Sequence, residues 1–317
     1  MQLFLLHLDD ALLTQPGFIA SCERSGGRAL DVQTEGSAIR LWGKDAALTR
    51  LRDRLRDGFA DTRDEPKLCF MGSGDFHHVT SLLLDTTLAA TAEPITIIHF
   101  DNHPDWVHFK GGAHCGSWVN RAAAHPAVSK IITIGVASND LKNPDWKGAN
   151  LNLMRDGMLE LYPFERPSSR VRHAYGEGAS HRQSGTTLHW QTMQALGEQN
   201  FIDTVLARIP TRGVYITIDK DVLAREDAET NWDQGHMRMD YLLHMLRSIG
   251  RRHRIVGADV TGDYSRPHYS GNLFMRAKKN AEIFLDQPRP APSPEDAARV
   301  NSLSNLALLE MLQGVMA

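Results

Sequence analysis

Short, uninterrupted apolar runs recur along the whole chain at wide spacing, and this pattern limits the possible folds more than any other feature. A strand with one face in water alternates apolar and polar residues, whereas a strand buried on both faces of a parallel sheet is apolar at nearly every position. Stretches with the leucine spacing of helices, such as residues 45–57, lie between the runs. This alternation predicts an α/β fold with a central parallel sheet. The strand runs are residues 3–8, 67–71, 95–100, 130–136, 214–219 and 254–260, and further helices are expected at 197–208, 239–250 and 294–315.

The chain has 317 residues, with no internal repeat and no long linker, so we expect a single domain that spans residues 1–317. Residues 140–190 are poor in such runs and are expected to form loops that fold over an edge of the sheet. The proline-rich stretch 287–294 is expected to connect to the last helix.

Composition excludes several classes of protein. The 35 basic and 38 acidic side chains give a net charge of −3, which argues against a nucleic-acid or anionic-membrane binder. The three cysteines form neither a disulfide framework nor a CxxC pair, which favours a reducing, cytoplasmic setting. Asp9 and Asp10 end the apolar N-terminal run early, so it is interpreted as a strand and not as a signal peptide. No apolar stretch approaches the roughly 18 residues of a membrane span. A small molecule is the expected partner.

Aspartate and histidine follow four of the predicted strands. Ligands of open α/β sheets bind outside the carboxyl ends of the strands. Several carboxylates buried there would repel one another strongly unless a cation lay between them, and divalent metal ions are the usual partners. The four segments are Gly72–His78, Asp101–Trp106, Asp219–Asp221 and Asp259–Asp263.

The spacing of these residues fits a pair of metal ions. Asp101, His103 and Asp105 alternate along the chain, as do Asp219 and Asp221, so each set can face one side. A histidine from the glycine-rich turn after the run 67–71 would complete a set of two imidazoles and four carboxylates. Such a set, without thiolate, favours Mn²⁺ over Zn²⁺, Co²⁺ or Fe²⁺. Two ions about 3.5–4 Å apart can activate a hydroxide, so metal-assisted hydrolysis is predicted.

The order of the motifs, Gly-Asp-x-His, Asp-x-His-x-Asp and Asp-x-Asp, resembles the ureohydrolase family of arginase, agmatinase and formimidoylglutamase, within the wider arginase–deacetylase fold. The resemblance covers roughly residues 67–265. It implies a three-layer α/β/α sandwich with a central, mostly parallel sheet of about eight strands, and assembly into a homo-oligomer. The metal ligands that it implies are Asp101, His103, Asp105, Asp219, Asp221 and either His77 or His78, of which His77 is favoured although the turn is one residue longer than the family motif.

His114 also agrees with the family, whereas the loop after Asp221, Lys220 and Gly262 depart from it. His114 lies where the family has a histidine that shuttles protons or binds substrate beside the metals. The loop after Asp221 lacks the family's Asp-Pro and Pro-Gly-Thr-Gly-type sequence, and Lys220 replaces an apolar residue. Guanidine-cleaving members have a glutamate after the last strand, near Gly262 here, and Asp263 is the candidate to replace it. The resemblance therefore implies the metal chemistry and leaves the substrate open.

We predict a dinuclear metal-dependent hydrolase that cleaves a non-peptide C–N bond of a guanidino, formimino or related small substrate, with His114 or Asp263 protonating the leaving amine. Two alternatives remain, an amide deacylase of the same fold and a metal-binding homologue without catalysis. Asp75 is expected to stabilise the turn, and Cys115 to be a buried side chain and not a nucleophile. Packing is favoured over a role in substrate binding for Trp106, Trp118 and Trp232.

Overall fold

The computed structural model describes residues 1–62, 64–288 and 290–317. The strands within these ranges are β1 Gln2–His7, β2 Arg28–Asp31, β3 Trp42–Lys44, β4 Lys67–Phe70, β5 Ile95–Phe100, β6 Gly112–His114, β7 Val128–Ile134, β8 Leu159–Tyr162, β9 Ser168–Arg170, β10 His181–Ser184, β11 Thr187–Trp190, β12 Gly213–Asp219 and β13 Arg254–Thr261. The α-helices are α1 Pro16–Arg24, α2 Gln33–Ile39, α3 Asp45–Gly58, α4 Thr80–Ala89, α5 Trp118–Ala123, α6 Asn152–Arg155, α7 Met193–Leu196, α8 Glu198–Arg208, α9 Met239–Gly250, α10 Leu273–Asp286 and α11 Pro294–Val315.

Eight strands form one sheet in the order β2-β1-β4-β13-β12-β5-β7-β8, and every neighbouring pair is parallel. The predicted fold class is therefore confirmed. The six predicted runs are the six inner strands. The two edge strands, β2 and β8, were not predicted, because β2 is mostly exposed and carries charged residues and β8 has only four residues.

Alternate residues of the inner strands belong to two separate apolar cores. In β5, Ile95 and Ile97 pack with the helices α3, α4 and α5, whereas Ile98 and Phe100 pack with α8, α9 and α11 on the other side. Successive side chains of a strand point to opposite faces, so a strand that is apolar at every position needs helices on both sides. This requirement produces the three layers.

The helices bury one stripe each, as their sequences predict. In α9, Leu242, Met245, Leu246 and Ile249 recur at the spacing of a single helix face, and all four are buried. The bounds of α9 and α11 agree with the predicted ranges. α10 was not predicted, because several of its large apolar residues face solvent and give no buried stripe.

Two segments depart from expectation. Residues 140–190 contain more regular structure than the loops expected there, since β8 joins the main sheet and β9, β10 and β11 form a small antiparallel sheet. A further short antiparallel pair, β3 with β6, lies near the carboxyl edge of the main sheet and carries Trp42 and His114. Among the described residues, no helix is both long enough and apolar enough to cross a membrane.

The sheet order places the predicted site residues together. β4, β13, β12 and β5 are consecutive neighbours in the sheet. Parallel strands end at the same edge, so the four polar segments that follow these strands meet there.

Glu160 of β8 links the sheet edge to α8. Its buried carboxylate accepts hydrogen bonds from Arg208 Nε at 3.0 Å, Lys130 Nζ at 2.7 Å and Tyr162 Oη at 2.9 Å. Burial raises the pKa of Glu160, but the bonds from Arg208 and Lys130 outweigh burial and hold it below its ordinary value. The charged carboxylate therefore stabilises the fold at pH values above the unfolded-state pKa, and this contribution declines as the pH falls toward the lower folded-state pKa.

We expect Glu160→Gln to lower the free energy of unfolding at pH 7 by about 1–3 kcal/mol, because two cations lose their charged partner. Urea unfolding of both proteins between pH 3 and pH 7 should show the difference shrinking below about pH 4. Glu310→Gln, at an exposed position of α11, is the matched control. Equal unfolding free energies for Glu160→Gln and wild type at pH 7 would contradict the assignment.

Candidate metal centre

A buried group of histidine and aspartate side chains lies at the carboxyl ends of β4, β5 and β12. His77 Nδ1 is 3.0 Å from an oxygen of Asp101, 3.0 Å from an oxygen of Asp105 and 3.6 Å from an oxygen of Asp219. None of these contacts has the angles of a hydrogen bond. Two ligand atoms at right angles, each about 2.1 Å from one ion, lie about 3.0 Å apart. The spacing therefore suits donors around a shared cation.

A second group adjoins the first. His103 Nδ1 lies 2.9 Å from Asp221 Oδ2 and 3.6 Å from Asp101 Oδ1, so Asp101 belongs to both groups. Asp219 also lies between them, because its Oδ2 faces His77 while its Oδ1 accepts the N–H of Asp221 at 3.1 Å. The arrangement offers two neighbouring positions for cations with shared carboxylates.

Backbone geometry lets these carboxylates approach one another. A Cβ atom at Gly74 would lie 2.6 Å from Asp219 Oδ2, and a Cβ atom at Gly262 would lie 2.4 Å from Asp219 Oδ1. Gly262 also has a φ of +96°, which favours glycine. Asp105 has a φ of +48°, an uncommon value for a residue other than glycine, and its carboxylate reaches His77 in this conformation.

The electrostatics show how much negative charge the site holds. Burial and the charge of Asp101 raise the pKa of Asp105 and of Asp219 to about 6 each. Burial and the charges of Asp219 and Asp101 also raise the pKa of Asp221 well above its ordinary value. Burial alone would lower the pKa of His77, but the contacts with Asp101 and Asp105 raise it well above the ordinary value. The site therefore favours positive charge, as protons or as a metal.

Outer hydrogen bonds orient the histidines. His77 Nε2 lies 2.9 Å from Thr217 Oγ1, and Thr217 donates to the buried Asp259 at 2.7 Å. His103 Nε2 lies 2.8 Å from Asp233. Because Nε2 of each ring contacts a hydroxyl or a carboxylate, Nδ1 faces the shared carboxylates. Such a contact on the second nitrogen is usual for metal-bound histidines.

The aspartates have similar support. His99 Nε2 lies 2.8 Å from Asp101 Oδ2, and Trp118 Nε1 donates to Asp105 at 2.6 Å. The sequence interpretation missed the roles of His99, Thr217 and Asp233. For His99 a signal existed, since it lies two residues before Asp101 in the same strand. Asp233 lies 130 residues from its partner His103, and no spacing rule connects them.

Of the two candidate histidines, the structure places His77 at the carboxylates. His78 is also fully buried, and burial, together with the charge of the nearby Lys279, lowers its pKa well below the ordinary value. Asp75, expected to stabilise the turn, accepts a hydrogen bond from the buried Arg40 at 2.7 Å. It therefore ties the turn to the loop before β3.

His114 lies beside this group and pairs with a residue of α10. Its Nδ1 accepts the N–H of Gly116 at 2.9 Å, so Nε2 carries the ring proton and points to Glu282 Oε1 at 2.7 Å. Glu282 also accepts a hydrogen bond from Trp42 Nε1 at 3.1 Å. Both His114 and Glu282 are about one-fifth exposed, in contrast to the fully buried His77.

Asp263 lies in a different buried group. Its carboxylate accepts hydrogen bonds from Lys220 Nζ at 2.8 Å, from Gln15 Nε2 at 2.8 Å and from Asn305 Nδ2 at 3.2 Å. Lys220 and Asp263 therefore neutralise each other where α11 packs on the sheet, beside and not within the aspartate group.

The remaining candidates take buried positions. Trp106 and Trp118 are fully buried, and Trp232 is partly buried with its ring edge-on to His103 at 5.7 Å. Burial raises the pKa of the Cys115 thiol well above its ordinary value, so the thiolate needed for a nucleophile is disfavoured.

The parallel sheet and the His/Asp group at its carboxyl edge define an arginase-like α/β protein with a cluster able to bind metal. Residues 29–179 match the model of the arginase family, a range that contains His77, Asp101, His103 and Asp105. An uncharacterised protein of Thermotoga maritima is 24% identical over 194 residues, which are 61% of this chain and 57% of that protein. The chain thus spans less than two thirds of that relative's length.

Solved structures agree on the fold. The arginase of Bacillus subtilis matches 100% of this chain and 98% of its own with a TM-score of 0.58 at 13% identity. The formimidoylglutamase of Bacillus subtilis matches 99% and 86% with a TM-score of 0.56 at 13% identity. The proclavaminate amidino hydrolase of Streptomyces clavuligerus matches 88% and 74% with a TM-score of 0.55 at 16% identity. These structures show an arginase-like fold, and the match to the arginase family model over residues 29–179 agrees with the resemblance that the motifs indicated.

Metal affinity should depend on pH, because protons compete for the same carboxylates. Asp105 and Asp219 have pKa values of about 6, so the apparent affinity for Mn²⁺ should fall as the pH drops through this value. We expect the dissociation constant to rise at least about tenfold between pH 7.5 and pH 5.5.

Calorimetric titration in two buffers of different ionisation heat measures both the affinity and the protons released. Proton release near pH 6 is the expected result. Affinity that stays constant over this range, with no proton release, would show that the raised pKa values do not govern binding.

Proposed function

We propose that the protein is a dinuclear metal-dependent hydrolase of a non-peptide C–N bond. The observation that carries this proposal is the pair of adjoining donor groups that share Asp101, with Asp219 between them. The names of the structurally similar proteins, arginase, formimidoylglutamase and amidino hydrolase, support hydrolysis of guanidino or formimino compounds.

Six residues would hold the ions. His77, Asp101, Asp105 and Asp219 would hold one ion, and Asp101, His103, Asp219 and Asp221 would hold the other. Oxygen donors with two imidazoles favour Mn²⁺. Divalent ions held there would supply the Lewis acidity for attack of water on a planar carbon bonded to nitrogen.

His114, with Glu282 beside it, would donate a proton to the leaving amine. The ring holds a proton at Nε2, and the Glu282 carboxylate beside it accepts this N–H and orients the ring. Asp263 is occupied by Lys220, Gln15 and Asn305, so we assign proton transfer to His114 and not to Asp263. The partial exposure of His114 and Glu282, about one-fifth each, supports this assignment.

Asp101→Asn and Asp219→Asn should each abolish binding of two metal ions per chain together with turnover, because each removes a shared carboxylate. Metal analysis would be combined with a screen of guanidino, formimino and acylamino compounds for released urea, formamide, ammonia or acid. Asp240→Asn, at an exposed position of α9, is the control. Full metal content and turnover in either site variant would overturn the proposal.

The same screen separates the two alternatives. Release of a carboxylic acid from acylamino compounds alone would identify an amide deacylase. Two metals per chain without turnover of any of the three compound classes would identify a metal-binding homologue that does not catalyse.

His114→Asn should keep both metals and lower kcat by about 10²–10⁴-fold, the usual contribution of a general acid. Glu282→Gln should lower kcat less, since the ring proton remains while the charge that stabilises it is lost. Lys278→Gln, on the same helix, is the control for α10. Unchanged kcat in His114→Asn would remove this residue from the reaction.

A further inference from the structure

Helix α10 carries an apolar stripe that the described part of the chain leaves exposed to solvent. Its four large members have exposed fractions between 62% and 82% and are Leu273, Phe274, Phe284 and Leu285. Ala277 and Ala281, also exposed, lie between them. At about 100° per residue, these six side chains fall within about one third of the helix circumference. We call this surface the α10 stripe.

Elsewhere in the described chain, large apolar residues are exposed singly. Leu13, Phe109, Trp146 and Leu303 lie on separate segments. Single exposures of this kind are normal, whereas a contiguous apolar patch marks an interaction surface. The α10 stripe is therefore a candidate interaction surface.

The opposite side of α10 contacts the rest of the subunit mainly through polar atoms. In α10, which is described throughout, the one fully buried residue is Lys279, and its Nζ donates to the backbone oxygen of Ala38 at 3.4 Å. Glu282 accepts hydrogen bonds from His114 and Trp42. Helices in proteins are stabilised mostly by packing of their apolar face. Here that face points away from the subunit, so a second surface is needed to cover it.

The sequence of α10 indicates what this second surface is. Counted outward from Lys279, the helix has the same or a similar apolar residue at equal distances in both directions. The pairs are Ala277 with Ala281, Met275 with Ile283, Phe274 with Phe284, and Leu273 with Leu285. An antiparallel second copy of the helix brings the two members of each pair opposite each other. Contact across a two-fold axis requires this self-complementarity, because residue i contacts j wherever j contacts i.

The dimensions of the α10 stripe also suit a pair of helices. Its four large side chains expose about 600 Å² per chain, since each large apolar side chain can bury roughly 150–250 Å². Specific interfaces bury about 800 Å² per partner, including their polar rim. The two alanines at the centre let the helix axes come within the usual distance of about 8–10 Å. The stripe can therefore form the apolar centre of a dimer interface.

We propose that the protein forms a homodimer through antiparallel packing of α10 against α10 of a second copy. Leu273 then contacts Leu285 of the partner subunit, and Phe274 contacts Phe284 of the partner subunit. Because α10 also carries Glu282, the dimer restrains the helix that contacts His114. The inference does not depend on the proposed function.

The test is the molar mass of the full chain in solution, measured by sedimentation equilibrium over a wide range of protein concentration. The wild type should have twice the chain mass. Leu273→Lys and Leu285→Glu should each raise the dissociation constant of the dimer at least about a hundredfold, because each places two unpaired charges in the interface. Leu303→Lys, at an exposed apolar position of α11, is the matched control and should leave the dimer intact.

Two further samples test the antiparallel orientation. The double variant Leu273→Lys/Leu285→Glu should recover the dimer to within about tenfold of the wild type, because each lysine lies opposite a glutamate. An equimolar mixture of the two single variants should form a heterodimer, with one charged pair and one leucine pair. A parallel arrangement would instead place like charges together in the double variant.

A wild type that stays monomeric at all concentrations would overturn the inference, and so would a dimer that both single variants leave unchanged. A double variant that remains monomeric would contradict the antiparallel pairing. Circular dichroism of the single variants should match the wild type, since both leucines are exposed in the subunit. These measurements involve neither metal nor turnover, so this inference and the proposed function fail separately.

Discussion

Repulsion between buried carboxylates is the constraint on which the rest of this structure depends. Asp101, Asp105, Asp219 and Asp221 are all almost completely buried at one edge of the sheet. Bringing so many negative charges out of water is strongly unfavourable unless cations or protons accompany them. The raised pKa values of Asp105, Asp219 and Asp221 express this repulsion directly. Divalent ions held by these carboxylates would relieve the repulsion and, under the proposed function, would supply the chemistry.

The buried carboxylates themselves could be predicted from the sequence, because their placement depends on local rules. An apolar run identifies a strand buried on both faces, and the residue that follows the run identifies the edge where ligands bind. Asp101, His103 and Asp105 follow a single run, so their proximity needs no knowledge of the fold. The meeting of this segment with Asp219 and His77 follows from the sheet order, in which β4, β13, β12 and β5 are neighbours, and the motifs did not predict this order.

The residues that surround the His/Asp group come from distant segments of the chain. Local sequence rules do not predict contacts between such segments. Asp233 orients His103, and Glu282 pairs with His114. Glu282 belongs to α10, which has no buried apolar stripe from which its sequence could be predicted to form a helix. The short edge strand β8 was missed because four residues, one of them Glu160, do not make a recognisable run. The sequence pattern therefore predicted the residues of the buried His/Asp group and did not predict the residues from distant segments that contact them.

The backbone around Gly262 leaves no room for a side chain. A side chain there would collide with Asp219 Oδ1 and with the backbone of Lys220, so this position cannot carry a substrate-binding glutamate. The next residue, Asp263, is paired with Lys220 at 2.8 Å. A partly exposed carboxylate near this edge is Glu282 of α10, and it pairs with His114.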